Sequence, residues 1–163
     1  MYSMVEYLKD YEACHQNKLN RVLHLIGVPA IIVALMIFFS WIRVDFFSYI
    51  SLSVSWLIVF AILIYYGFLD IKVTLAMSVF YIILNFIVSL VVGVKPSWAS
   101  FSFFIVLLVG GWVLLLFGHF LEKEKPAFTK NLVHLLIGPI FIVNEVAAQF
   151  GLTLCKIDDN SDL

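Results

Sequence analysis

Apolar residues run along this chain in blocks too long for strands or for the half-buried helices of a soluble domain. No Asp, Glu, Lys or Arg occurs within residues 22–42, 46–69, 73–94 or 96–121. A helix rises about 1.5 Å per residue and the hydrocarbon core of a bilayer is about 30 Å thick, so about 20 apolar residues cross it. The four blocks therefore predict four transmembrane helices. A fifth apolar stretch, 131–155, contains Pro139 and Glu145. It fits a kinked span, a re-entrant helix or a helix lying at the membrane interface, and a fifth membrane-inserted helix is the favoured reading. The expected fold is an all-α polytopic membrane helix bundle, a single integral membrane domain over residues 1–163.

The connections between blocks are short and carry turn residues: Arg43 and Asp45, then Asp70 and Lys72, then Lys95-Pro96-Ser97. Asp70 reads as a cap or ion-pair partner for Lys72. Polar segments of any size are confined to 1–21, the loop EKEKPAFTK at 122–130 and the tail at 156–163. Lys9, Lys18, Arg21, Lys72, Lys123, Lys125 and Lys130 fall on one side of the predicted membrane, and Arg43, Lys95 and Lys156 on the other. The side richer in Lys and Arg is normally cytoplasmic, which puts the N-terminus and the 122–130 loop there. No cleavable signal segment is read at the N-terminus.

Composition narrows the class further. Hydrophobic residues make up 63% of the chain and charged ones 13%, against about 45–50% and about 25% in ordinary globular domains. That excludes a soluble domain, a disordered chain, a coiled coil and a disulfide scaffold. Ten Lys and Arg against eleven Asp and Glu give no charge excess to neutralise phosphates, so nucleic acid is excluded as a partner. Cys14 and Cys155 form no ligand or redox spacing. The favoured location is a bacterial inner membrane, with the endoplasmic reticulum as the alternative.

All four histidines, His15, His24, His119 and His134, fall at the cytoplasmic end of this topology. Interfacial placement of an amphipathic ring explains such positions without any function. The neighbours favour a metal. His119 and Glu122 are three apart and share a helix face, as a ligand and its partner would. His134 and Glu145, eleven apart, also share a face if the helix persists past Pro139, since eleven residues return to within about 20°. Glu145 is then expected to point inward along the stripe. His15 and His24, nine apart, are about 180° apart on an unbroken helix. The chain must therefore break between them for both to reach one ion, and Gln16-Asn17 is the expected break. Asn17, Asn20 and His24 then share a face.

The segments NRVLHLIGVP (20–29) and NLVHLLIGP (131–139) echo each other, each placing Gly and Pro after a His, where helices can approach closely and bend. Four histidines are too few for a membrane di-iron site, so a single ion fits better, and imidazole suits Fe, Zn, Cu and Ni alike. Two non-enzymatic readings compete: a proton or metal transporter with a His/Glu relay, and a lipid-binding helper with interfacial histidines.

The blocks HQNKLNRVLHLIGVP (15–29) and GHFLEKEKPAFTKNLVHLLIGP (118–139), followed by Phe141 and Glu145, resemble the membrane-embedded 2-hydroxy fatty acid dioxygenase family. The resemblance extends over essentially the whole chain. It implies an Fe(II)-dependent enzyme of fatty acid α-oxidation that takes a long-chain 2-hydroxy fatty acid and O2 to the acid one carbon shorter, in contact with membrane lipid. The family's histidines match His15, His24 and His119 as metal ligands, with His134 a fourth candidate at a position often occupied by glutamine in relatives. Glu122 and Glu145 match family positions as ligand or orienting carboxylate. Asn20, Arg21, Lys123, Lys125 and Lys130 are candidates for holding the substrate head group, although the basic ones also obey the positive-inside rule.

Overall fold

The computed structural model describes residues 4–13, 15–46, 50–92, 96–122, 133–149 and 151. Among the described residues the chain is all-α apart from one short hairpin. Helix α1 spans Met4–Ala13, α2 Lys18–Ser40, α3 Val54–Leu69, α4 Ile71–Val92, α5 Trp98–Glu122 and α6 His134–Gln149, and strands β1 (Arg43–Phe46) and β2 (Ile50–Ser53) pair antiparallel between α2 and α3.

Three of these helices, α2, α4 and α5, are long and apolar enough to cross a membrane. The second charge-free block departs from expectation. Residues 46–69 do not form one continuous helix, because Ile50–Ser53 pairs with Arg43–Phe46 and leaves a helix of 16 residues, about 24 Å long. Freedom from charge is shared by strand and helix residues here, and only the register of the hairpin separates them.

Helices α2 to α5 form the bundle, with α2 against α5 the most extensive contact. Small residues bring these two helices together. A Cβ on Gly111 would sit 2.8 Å from the Gly27 carbonyl oxygen, and one on Gly27 would sit 3.0 Å from the Gly111 carbonyl oxygen. Without water to drive helices together, such close backbone approach is what holds them. Farther along, Phe38 stacks on Phe104 with centroids 5.5 Å apart. Outer faces expose Leu75, Val79, Leu90, Val106 and Phe120, the surface that a lipid environment accepts and water does not.

Helix α3 hands over to α4 at Asp70, whose Oδ1 accepts the backbone N–H groups of Lys72 at 2.7 Å and Val73 at 3.1 Å. This is the expected cap. Helix α6 exists with Pro139 inside it, but it does not run down the bundle. His134 meets Tyr7, the Leu136 carbonyl accepts the Tyr66 hydroxyl at 2.5 Å, Phe141 meets Tyr11, and Glu145 pairs with Arg21. From its first turn to its last, α6 touches residues at one end of the bundle, so with α1 it lies across that end. The hairpin sits at the opposite end, between the C-terminus of α2 and the N-terminus of α3.

Gly111→Ala is expected to lower the thermal midpoint in detergent, since forcing a methyl into that contact costs about 1–3 kcal/mol. A Cβ at Gly110 meets nothing within 4 Å, so Gly110→Ala serves as the control. Tryptophan-fluorescence melting of both variants checks this, and equal shifts would contradict it.

Candidate metal centre

The chain breaks between α1 and α2 where the sequence requires. His15 follows α1, and Asn17 caps α2 by accepting the Leu19 N–H at 2.8 Å. The turn is held from outside by Glu122, the last residue of α5. Its Oε1 accepts the backbone N–H groups of Gln16 and, at 3.0 Å, of Asn17, while its Oε2 accepts the Asn20 side-chain amide. The two backbone donors belong to the entry of a helix, where N–H groups have no intrahelical partner. Gly118, one turn before Glu122, leaves room for Asn20: a Cβ there would fall on the Asn20 amide oxygen.

Arg21 ties down the same turn. Its Nε donates to the His15 carbonyl at 2.7 Å, and its guanidinium reaches Glu12 at 3.2 Å and Glu145 at 3.8 Å.

With the turn fixed, three histidines from separate stretches converge. The rings of His15, His24 and His119 lie pairwise edge to face with centroids 4.4, 4.9 and 4.8 Å apart. One ring nitrogen from each lies within 4.8 Å of the others. All three are buried. His15 Nδ1 lies 2.6 Å from the Tyr11 carbonyl oxygen and His24 Nδ1 3.0 Å from the Asn20 carbonyl oxygen. A carbonyl only accepts, so Nδ1 carries the proton in both rings and Nε2 carries the lone pair. A histidine that binds a metal is commonly held in this way by its other nitrogen.

His15 Nε2 and His119 Nδ1 are buried and have no hydrogen-bond partner. Buried nitrogens of this kind call for something to bind. Burial pushes the His15 imidazole down from 6.5 to about 4, which keeps it in the neutral form that metals require. Three neutral nitrogen donors fit a single divalent transition-metal ion, and the donor set alone does not choose among Fe, Zn, Cu and Ni.

The cluster forms the head of a cavity of about 230 Å³ that continues between α2 and α5 along Val28, Ile31, Leu35, Leu108 and Trp112. His134 lines this cavity from α6 but is not one of the three converging rings. Tyr11 lines it too and stacks on His15 with centroids 4.1 Å apart and planes 8° apart. A family model described as 2-hydroxy-palmitic acid dioxygenase Mpo1-like matches residues 1–150. The chain belongs to the Mpo1-like family. No curated protein and no solved structure matches it.

Several candidates of this Mpo1-like chain take places that their spacing does not reveal. Glu122 is at the cluster but turned to the backbone of the turn, outside the group of ligand atoms. Glu145 does not follow His134 inward. Eleven residues separate the two by about 16 Å along the axis, and because α6 lies across the bundle end, that distance carries Glu145 away to Arg21 in a separate small pocket. Arg21 is matched by two carboxylates. Asn20 gives its amide to Glu122 and its carbonyl to His24. Lys123, Lys125 and Lys130 lie outside the described residues, as do Cys14 and Cys155. Tyr11 and Trp112 went unnoticed in the sequence. Tyr11 stands four before His15, and that spacing was the available signal, whereas nothing distinguishes Trp112 from the other aromatics of an apolar helix.

Glu122→Ala removes the acceptor for three donors of the turn. It is expected to weaken metal binding by about 10–100-fold, as loss of a group that orients a ligand does. Competition against a chelator of known affinity measures this, and unchanged affinity would contradict the role.

Proposed function

We propose that this chain is an Fe(II)-dependent dioxygenase that converts a long-chain 2-hydroxy fatty acid and O2 to the fatty acid one carbon shorter, with His15, His24 and His119 as its iron ligands. The observation that carries the reading is the placement of a buried three-histidine cluster at the head of an apolar cavity. The family description supports the substrate. One O2 per substrate closes the balance, with carbon dioxide and water released beside the shortened acid.

Bound iron would supply activation of O2 beside the C1–C2 bond, a chemistry that no side chain provides. The chain's own residues do the rest. Among the described residues, Glu122 is engaged by the turn and Glu145 by Arg21, so neither carboxylate is turned to the three imidazoles that would hold the iron. The substrate's carboxylate and hydroxyl would lie at this head of the cavity, beside the three imidazoles. Tyr11, stacked on His15, fixes the plane of that ring. The walls from Val28 to Leu35 and from Leu108 to Leu115 take the alkyl chain, at about 0.8 kcal/mol for each buried methylene, and shield the reacting carbon from water.

In this reading the whole chain is one integral membrane domain. Helices α2 to α5 cross the bilayer, and α1 and α6 cover the cytoplasmic end, where the basic residues collect. Lys123, Lys125 and Lys130, which follow Glu122 in the sequence, are proposed to attract an anionic head group by their charge. A relay for transport gains no support, because the histidines gather at one end instead of along a path.

Protein purified anaerobically in mild detergent is expected to hold iron and to convert 2-hydroxypalmitate to pentadecanoate with O2. His119→Ala is expected to lose both. Iron quantification and mass spectrometry of the product read the outcome, and metal-free protein that stays inactive after anaerobic Fe(II) reconstitution would contradict the proposal.

A further inference from the structure

A second cavity, of about 180 Å³, lies beyond the first and shares four walls with it: Ile32 and Leu35 on α2, Leu135 and Pro139 on α6. The histidine cavity uses α2 from His24 to Leu35, and the second continues along α2 through Met36 to Phe39. Leu136 on α6 adds to it, and its other walls come from helices that the first does not touch, with Val59 and Ile62 on α3 and Tyr81 on α4. The four shared residues therefore stand at the boundary between a compartment that holds the histidines and one lined by apolar side chains and the hydroxyls of Ser55 and Tyr81.

Length decides what each compartment can take. From His24 to Leu35 the α2 axis advances about 16 Å. An extended alkyl chain with 1.52 Å bonds and near-tetrahedral angles advances about 1.25 Å per bond, so the first cavity accommodates about twelve or thirteen bonds beyond the head group. A sixteen-carbon 2-hydroxy acid has about fourteen bonds beyond C2, about one or two more than the first cavity takes, which carries its end to the boundary with the second. We infer that the second cavity is the distal subsite for the substrate's alkyl tail, and that Val59, Ile62 and Tyr81 set the chain length the enzyme prefers. The inference rests on the proposed dioxygenase reading for the identity of the substrate. The assignment of a tail site rests on the two cavities alone.

Val59 is buried, lines the second cavity only, and stands on a helix that contributes nothing to the histidine cluster. Val59→Phe fills the space that the terminal carbons need. Each buried methylene is worth about a factor of four in binding, so exclusion of the last one or two lowers the ratio of kcat/KM for 2-hydroxypalmitate over that for 2-hydroxylaurate by about four- to sixteen-fold. Iron content, measured on the same sample, shows that the histidine end is intact. An unchanged ratio in an iron-loaded variant overturns the inference.

A second measurement covers the case in which Val59→Phe does not fold. Wild-type protein is illuminated with 2-hydroxypalmitate carrying a diazirine at its penultimate carbon, and the crosslinks are mapped by mass spectrometry. Labelling of α3 or α4 that excess unlabelled 2-hydroxypalmitate suppresses, and excess dioleoylphosphatidylcholine does not, supports the subsite. Labelling confined to α5 or to lipid-facing residues, or labelling that only phospholipid suppresses, overturns it. Wild-type protein that turns over no 2-hydroxy acid would remove the dioxygenase reading, and the crosslink would then decide the tail site by itself.

Discussion

Residues nine apart on a continuous helix face opposite ways, so His15 and His24 meet only because the chain breaks between them and the break is held. Glu122 holds it. A carboxylate at the end of α5 accepts two backbone N–H groups of the turn and the amide of Asn20. That single group links the stretch bearing two histidines to the helix bearing the third. Gly118 and His119 precede Glu122 by one turn, so the residue that fixes the turn, the residue that makes room for Asn20 and the third imidazole belong to one short segment of α5. Convergence of the rings is a consequence of this clamp more than of any attraction among them, since His15 Nε2 and His119 Nδ1 make no hydrogen bond.

The depth of the site follows from the contact between α2 and α5. Gly27 and Gly111 bring the backbones together near the histidine end, and between His24 and Leu35 the two helices share the walls of one cavity. The histidines are thus gathered at the end covered by α1 and α6, and the cavity that leads away from them is lined mainly by apolar side chains. An amphiphile with a polar head and a long tail matches that distribution: the head would lie at the histidine cluster, and the tail would gain by leaving water for the apolar walls.

Much of this was legible in the residues. The charge-free blocks give the long helices α2, α4 and α5, because charge is too costly in hydrocarbon to be scattered there. The nine-residue spacing of His15 and His24 requires a break at Gln16-Asn17, and Asn17 supplies the cap. Other features are invisible to pattern. The residues of the β1–β2 hairpin after Asp45 carry no charge, so they merge with α3 on any count of charges. Helical periodicity assigns a face but no direction in space, so it could not reveal that α6 crosses the bundle end, nor that Glu145 would meet Arg21 instead of the cluster. Likewise, spacing brought Glu122 to His119 correctly but could not say whether its oxygens would face an ion or a backbone.

The central claim is that one metal ion sits among His15, His24 and His119. Iron-edge X-ray absorption on anaerobically purified protein in detergent tests it most directly. The account predicts one iron per chain with the multiple-scattering pattern of imidazole, and about three histidine nitrogens at the close range usual for first-row metals. Iron that is absent after anaerobic reconstitution, or bound without imidazole scattering, would contradict it.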